Sequence, residues 1–158
     1  MIIGNPYAIA IQIEKIDTLC SPCGMFNFII NDKFVPGKGV TIDLYVVITS
    51  LKDGVNVNPE KMVCEIGSLP LEYIDFSEGE PEDLLYLNSS GLYDYGCNFW
   101  LGFDGDEERL IYTVDYEKTF HEARYPRGTI EKLIDSLPFS EDLVMEKNEN
   151  LIMTGIKR

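Results

Sequence analysis

Thiols and a single imidazole are the side chains of this chain that could act as nucleophiles or soft metal ligands. Cys20 and Cys23 form a C-x-x-C, a spacing found in redox sites at a helix N-terminus and in one half of many zinc sites. The pair lies between two segments with the pattern of antiparallel strands, which disfavours a redox site. Cys64 and Cys97 could complete a zinc site only if folding brings them together, and His121 is the only histidine. We therefore predict no metal and no cofactor, with the cysteines as loop and core thiols.

Pairs of carboxylates, which could perform general acid–base catalysis, are abundant in the chain. A catalytic pair needs environments that push its two pKa values apart, whereas acids clustered at 78–83 and 104–108 would mostly stay ionised. The calcium-binding spacing of an EF-hand is absent, and Gly37-Lys38-Gly39 does not match a phosphate-binding loop. A small cytosolic hydrolase that uses a carboxylate pair or a Cys–His pair is the alternative to a non-enzymatic function.

One long segment of the chain is both acidic and aromatic. From residue 62 to residue 108 there are twelve Asp and Glu side chains and no Lys or Arg, and the whole chain has a net charge of −14. The aromatic residues of the segment are Tyr73, Phe76, Tyr86, Tyr93, Tyr95, Phe99, Trp100 and Phe103. This composition disfavours nucleic acid as a partner, because phosphates require a basic surface, and equally disfavours an anionic membrane. It is better suited to binding a cationic protein.

The apolar patterns predict a single α+β domain over residues 1–158, an antiparallel sheet with two or three helices packed on it. Alternation of apolar and polar residues predicts that Ile9, Ile11 and Ile13 share the buried face of the first long strand. Strands are predicted at 7–16, 25–30, 33–35, 95–103, 109–115, 119–124 and 151–153.

Helical spacing and capping residues predict the helices. The first begins after Thr41 as its cap and ends at Gly54. A short second helix begins at Pro81 and runs through Tyr86, and a third opens at Gly128.

The clearest hairpin joins strands 95–103 and 109–115 through the turn dipeptide Asp104-Gly105. Alternation directs Phe99 and the strand residues two or four positions away from it inward, so that Trp100 points to the opposite, outer face. We expect Trp100 to be available to a partner there.

Acidic side chains around exposed aromatics match the anatomy of a tight protein interface, in which aromatic residues supply much of the affinity and charges steer the approach. The predicted interface includes two acidic clusters, at the start of the second helix and at the tip of the hairpin, with three aromatic anchors and Asp94. Its residues are Glu78, Glu80, Glu82, Asp83, Tyr93, Asp94, Tyr95, Trp100, Asp104, Asp106, Glu107 and Glu108.

Several segments together resemble one family of proteins. They are Met1-Ile2-Ile3-Gly4-Asn5-Pro6-Tyr7, Phe26-Asn27-Phe28-Ile29-Ile30-Asn31, Pro36-Gly37-Lys38-Gly39, Val47-Ile48-Thr49-Ser50-Leu51-Lys52, and Tyr125-Pro126-Arg127-Gly128 before Ile130-Glu131-Lys132-Leu133-Ile134. This pattern is similar to that of immunity proteins of bacterial polymorphic toxin systems, including those of contact-dependent growth inhibition.

The resemblance implies a cytoplasmic protein, without catalytic residues, that binds the C-terminal domain of a cognate toxin and blocks it. Many such toxin domains are nucleases and therefore basic, which fits an acidic inhibitor. The chain shows no basic start or apolar run typical of a signal peptide, which also predicts a cytoplasmic protein. An acidic mimic of DNA that blocks a nucleic-acid enzyme is a weaker alternative.

Overall fold

A computed structural model describes residues 1–16, 22–37, 39, 41–56 and 64–157. Within these residues it contains three antiparallel sheets and two α-helices. The predicted α+β class with an antiparallel architecture is therefore confirmed. Cys20, and with it the C-x-x-C motif, lies outside the described residues.

The first sheet forms from the alternating strands near the N-terminus. Ile11 pairs with Phe28 and Ile13 with Phe26 in the antiparallel register of the second and third strands, and all four side chains are buried. The strand order is β1-β2-β3-β4, with β5 also pairing β3. The strands are β1 (Ile2–Asn5), β2 (Ile9–Lys15), β3 (Cys23–Ile30), β4 (Lys33–Val35) and β5 (Ile42–Asp43).

Helix α1 (Leu44–Val55) follows directly and buries the predicted stripe that begins at Leu44 and ends at Leu51. Its cap differs from the prediction, because the Asp43 carboxylate, not Thr41, accepts the N–H of Val46 at 3.1 Å. The helix passes Gly54 by one residue.

The second sheet has the order β6-β7-β8-β9 and contains the predicted hairpin. The loop is Gly105-Asp106, one residue later than expected, since Asp104 pairs with Glu107 and Gly105 takes a φ of +59° that glycine tolerates. The helix predicted from Pro81 through Tyr86 is wrong. The strands are β6 (Leu85–Tyr86), β7 (Asn98–Asp104), β8 (Glu107–Thr113) and β9 (His121–Pro126).

Edge pairing explains why no helix forms at 81–86. Leu85 and Tyr86 pair with Leu101 and Trp100 on the edge of the sheet, so the extended backbone gains ladder hydrogen bonds that a single helical turn would lack. Pro81 begins only a turn, in which its carbonyl accepts the N–H of Leu84 at 3.2 Å.

The two sheets share one core with the helices. The rings of Phe28 and Phe99 lie 4.5 Å apart between centroids, and the hydroxyl of Tyr125 donates to the carbonyl of Ala8 at 3.2 Å. Helix α2 (Thr129–Asp135) adds Ile130, Leu133 and Ile134 to that core. The chain continues into a hairpin of β10 (Leu143–Asn148) and β11 (Leu151–Ile156), of which only the second strand was predicted.

The outer face of the second sheet is covered by residues 64–87, which we call the covering segment. Trp100, Ile111 and Leu84 form a second buried cluster there, with Phe76 and Phe120 packed against it. The covering segment consists of turns, a short 3-10 helix at Leu71–Tyr73 and strand β6. The sheet is therefore buried on both faces.

A buried arginine fastens the covering segment to the sheet. Arg109 is 1% exposed, and its guanidinium donates to the carbonyl of Gly67 at 2.7 Å and to both carboxylate oxygens of Glu122 at 3.1 and 2.6 Å. Burial alone would raise the pKa of Glu122, but hydrogen bonds and charges from Arg109 and Arg124 outweigh it and lower that pKa. The ion pair is thus well satisfied in a desolvated position.

Replacing Arg109 should unfasten the covering segment. In Arg109→Met the Gly67 carbonyl loses its donor and Glu122 loses its buried partner, so we expect the free energy of unfolding to fall by about 3 kcal/mol. Arg124→Met is the matched control, because Arg124 also pairs with Glu122 but is 35% exposed, and it should cost less than about 1 kcal/mol. Urea denaturation of both variants measures the difference, and equal losses would contradict this account.

Candidate functional site

The acids at the hairpin tip are largely paired within the molecule. Arg124 lies 2.9 Å from the Asp104 carboxylate and 3.2 Å from that of Glu107. Asp106 is exposed and belongs to no described ion pair. Since two of the predicted acids share a cation, this cluster presents less free negative charge than its sequence implies.

Glu108 is not on the acidic surface, which corrects its predicted place in the interface. It is 1% exposed, and its two carboxylate oxygens accept the backbone N–H groups of Gly128 at 2.8 Å and Ile130 at 2.6 Å. Burial raises the pKa of Glu108, although these hydrogen bonds act in the opposite direction. The side chain serves as the missing cap of helix α2, whose first residue follows a glycine without a capping side chain.

Trp100 is also not a surface anchor. It points to the outer face of the sheet, as predicted, but is only 2% exposed because the covering segment lies over it. Its ring contacts Phe76 at 5.0 Å and Phe120 at 5.8 Å between centroids. Its expected exposure is therefore wrong, and its role in the structure is to support the aromatic residues above it.

The acids at 78–83 lie in the turns of the covering segment rather than at a helix start. Glu78, Glu80, Glu82 and Asp83, which we call the acidic turn cluster, are all exposed, and none takes part in a described ion pair. Glu80 and Glu82 line an open cleft of about 530 Å³ together with Asp53 of α1. This cluster therefore presents its carboxylates at the surface without a described counter-charge.

Tyr93, Asp94 and Tyr95 form a short 3-10 helix just before β7. Tyr93 is 56% exposed and its ring meets that of Tyr116 edge-on at 6.4 Å. Asp94 is exposed, and its carbonyl accepts the hydroxyl of Tyr116 at 2.8 Å. Tyr95 is half-buried and donates to the carbonyl of Thr41 at 3.2 Å. Tyr93 is therefore the more accessible of the two tyrosines.

Sequence reasoning missed a second cleft, which we call the Phe120 cleft. Its volume is about 620 Å³, and its lining combines apolar and aromatic side chains with three carboxylates. The lining residues are Leu71, Glu72, Ile74, Asp75, Phe76, Ser77, Glu117 and Phe120. Glu117 and Phe120 come from the connection between β8 and β9, outside the acidic segment, and no periodic pattern in the sequence singles them out.

A chain of hydrogen bonds joins the two clefts. The hydroxyl of Tyr86 donates to Asn98 at 3.1 Å, and the Asn98 amide donates to Glu117 at 2.6 Å. Burial raises the pKa of Tyr86, and the negative charges of Glu80 and Glu117 raise it further. Because Tyr86 lies near an acid of each cleft, the acidic turn cluster and the Phe120 cleft belong to one acidic face.

Asp115 fixes the connection that carries Glu117. Its carboxylate accepts the N–H groups of Lys118 and Thr119 at 3.1 and 2.9 Å, and the hydroxyls of Thr113 and Thr119 at 3.0 and 2.7 Å. Hydrogen bonds from Thr119 are the main cause that lowers the pKa of Asp115 from 3.8 to about 2.

Among the described residues, the thiols and the imidazole belong to no cluster that could hold a metal ion. Cys64 and Cys97 are buried, and burial raises the pKa of the Cys64 thiol, which opposes thiolate formation. His121 is exposed, with its ring 5.3 Å from that of Tyr112.

In the Phe120 cleft, hydrogen bonds from Ser77 lower the pKa of Asp75, the direction opposite to that of a general acid. No described helix is long and apolar enough to cross a membrane.

Comparisons with known proteins add two findings. A family model described as Immunity protein 42 matches residues 1–140. The crystal structure of CdiI from Burkholderia dolosa AUO158 has a similar fold, with a TM-score of 0.51, 16% identity, and coverage of 85% of this chain and 96% of that one. No curated protein matches the chain.

Removal of the Glu108 carboxylate should destabilise helix α2. Glu108→Ala leaves two N–H groups of the helix start without an acceptor, and we expect a loss of about 2 kcal/mol in the free energy of unfolding. Glu107→Ala, one residue away and exposed, should change it by less than about 0.5 kcal/mol. Urea denaturation tests the pair, and a tolerated Glu108→Ala would show that the cap is dispensable.

Asp115 should contribute stability that depends on pH. Because its folded pKa is lowered from 3.8 to about 2, the contribution is present above pH 3.8 and is lost as the pH falls through about 2. Asp115→Asn should therefore have a lower thermal unfolding midpoint than the parent protein near neutral pH, and the difference should shrink as the solution is acidified. A difference that stays constant over that range would contradict the assignment.

Proposed function

The chain belongs to the Immunity protein 42 family, and we propose that it neutralises a basic toxin domain by stoichiometric binding through its acidic face. As an immunity protein it acts against a toxin, and the structural likeness to a protein named CdiI agrees with that function. The finer parts of the proposal are the charge of the toxin, the binding surface and the absence of catalysis.

The distribution of unpaired charge supports a basic partner. At the hairpin tip Asp104 and Glu107 share the charge of Arg124, whereas no acid of the acidic turn cluster takes part in a described ion pair. An uncompensated field of one sign raises the association rate of an oppositely charged partner by roughly 10- to 1,000-fold at low salt. Toxins that act on nucleic acid need a basic surface for phosphate, so we propose a nuclease domain as the target.

The proposed contact residues differ from the sequence-based set in a physical way. The charged part consists of Glu78, Glu80, Glu82 and Asp83. The other part consists of the aromatic residues Tyr93 and Tyr95 with Asp94 between them. Asp106 lies at the periphery. Trp100 and Glu108 are excluded by burial, and Asp104 and Glu107 contribute less because Arg124 already binds them.

Inhibition by binding requires no chemistry from this chain. We propose that it works without catalysis and without a cofactor, in the cytoplasm, where its toxin would act. A single domain over residues 1–158 is sufficient for this role. The hydrolase alternative is the weaker proposal, because the lowered pKa of Asp75 disfavours it as a general acid and the raised pKa of the Cys64 thiol disfavours it as a nucleophile.

Charge reversal of the acidic turn cluster tests this proposal. The triple variant Glu78→Lys, Glu80→Lys, Glu82→Lys should bind the toxin domain encoded beside the gene at least about tenfold more slowly at low salt, because electrostatic steering is lost. The difference should decrease as salt is added. Stopped-flow association rates over a salt series give the measurement.

The matched control carries the same change in net charge elsewhere. Glu141→Lys, Glu146→Lys, Glu149→Lys places three exposed reversals outside the acidic face and should retain most of the association rate. Equal slowing by both triples would mean that net charge, rather than this face, governs binding.

A further inference from the structure

We propose that the Phe120 cleft receives an arginine side chain of the toxin, held over its aromatic floor by the carboxylates at its rim. This inference rests on the proposed function and goes further, because it assigns a specific recognition chemistry to residues that neither the acidic turn cluster nor the predicted interface includes.

The floor of the cleft is aromatic and rigid. The rings of Phe76 and Phe120 are stacked, with centroids 3.9 Å apart and planes 16° from parallel. Trp100 supports both rings from below, at 5.0 and 5.8 Å. Because the floor is held by the buried cluster, a partner side chain would lose its own freedom on binding but would not have to order the receptor.

The rim is negatively charged and also preorganised. Asp75 accepts the N–H and the hydroxyl of Ser77 at 2.8 and 2.6 Å, and Glu117 accepts the Asn98 amide at 2.6 Å. Glu72 is the third carboxylate, and it is exposed. No described residue that lines the cleft is basic, and none of the three acids belongs to a described ion pair, so the described residues give the rim no bound counter-charge.

The molecule itself shows how such a lining binds a guanidinium. Arg127 lies over the ring of Phe103, with its central carbon 4.1 Å from the ring centroid. The same guanidinium donates to the Glu65 carboxylate at 3.2 Å. The Phe120 cleft has the aromatic surface and the carboxylates of that arrangement but no cation among the described residues. Charge complementarity therefore calls for a cation from the partner.

Arginine fits this lining better than the other cationic side chain. Its planar guanidinium binds carboxylates through several donors, stacks on aromatic rings, and is more weakly hydrated than an ammonium group. Its methylene stem can lie against Leu71 and Ile74, which also line the cleft. A volume of about 620 Å³ with an open mouth admits a side chain presented on a protein surface.

The test measures the affinity for the toxin domain encoded beside the gene. Glu72→Gln with Glu117→Gln keeps the shape of the cleft and removes two of its three charges, and we expect the Kd to rise at least about tenfold. Glu141→Gln with Glu149→Gln is the matched control and should leave the Kd unchanged. Unfolding midpoints of the free variants establish that both proteins are folded.

A double-mutant cycle identifies the bound arginine. Arginines of the toxin domain are replaced by Gln one at a time, and one of them should lose as much affinity as the cleft variant does. The two changes combined should then cost little more than either alone. Strict additivity for every arginine would overturn the proposal.

Trp100 provides an independent readout, because it is the only tryptophan of the chain and lies beneath the cleft floor. With 5-fluorotryptophan incorporated into this chain alone, its single ¹⁹F resonance should shift on addition of the toxin domain, and the cleft variant should reduce the shift.

The outcomes separate the two proposals. If the parent protein does not bind the toxin domain, the proposed function fails. If it binds and reversal of the acidic turn cluster slows association, but the cleft variant changes neither the Kd nor the ¹⁹F shift, only the arginine site fails.

Discussion

The buried guanidinium of Arg109 is the constraint on which the surface of this protein depends. It joins the Gly67 carbonyl of the covering segment to Glu122 of strand β9, with the Trp100 cluster packed beside it on the same face. The covering segment has little regular structure of its own, so its position comes from this ion pair, from apolar burial, from backbone hydrogen bonds to Phe103 and from the pairing of β6. Loss of the ion pair would release Gly67, near the start of the segment that carries the acidic turn cluster and most of the Phe120 cleft.

The acidic segment contains two groups of acids. Those of the first group bind partners within the protein, and those of the second group have no described ion pair. Glu108 caps α2, Glu65 binds Arg127 and the N–H of Gly105, and Asp104 binds Arg124. These acids stabilise the fold, and the side chains and helix N–H groups that they bind come from β9 or from the residues up to the start of α2, close in sequence to one another. Most of the remaining acids lie on the covering segment, and none of those takes part in a described ion pair. Net charge alone would not reveal this division, because it counts both groups equally.

The sequence predicted those features that periodicity encodes. Alternation placed Ile11 on the inner face and Trp100 on the outer face of their sheets, and both placements are confirmed. Alternation says which face a side chain takes and not what covers that face, so the burial of Trp100 could not be read from it. Glu108 is different: it has the same parity as Leu110, which is buried in the core. An acid at an inward position required a buried partner, and the helix start at Gly128 could have supplied it.

The same distinction separates the residues that the fold requires from those that it does not. Residues that hold the covering segment, such as Arg109, are buried and matched one to one, so that a substitution leaves a polar group unsatisfied. Glu72 lies in the short 3-10 helix and Glu80 on a bend, both with exposed side chains, and replacing them disturbs no hydrogen-bonded ladder. A similar fold at 16% identity over 85% of this chain shows that this architecture can form from sequences that differ at most positions. Specificity for a partner can therefore reside in the exposed acids of the covering segment, while a few buried contacts hold that segment on the sheet beneath it.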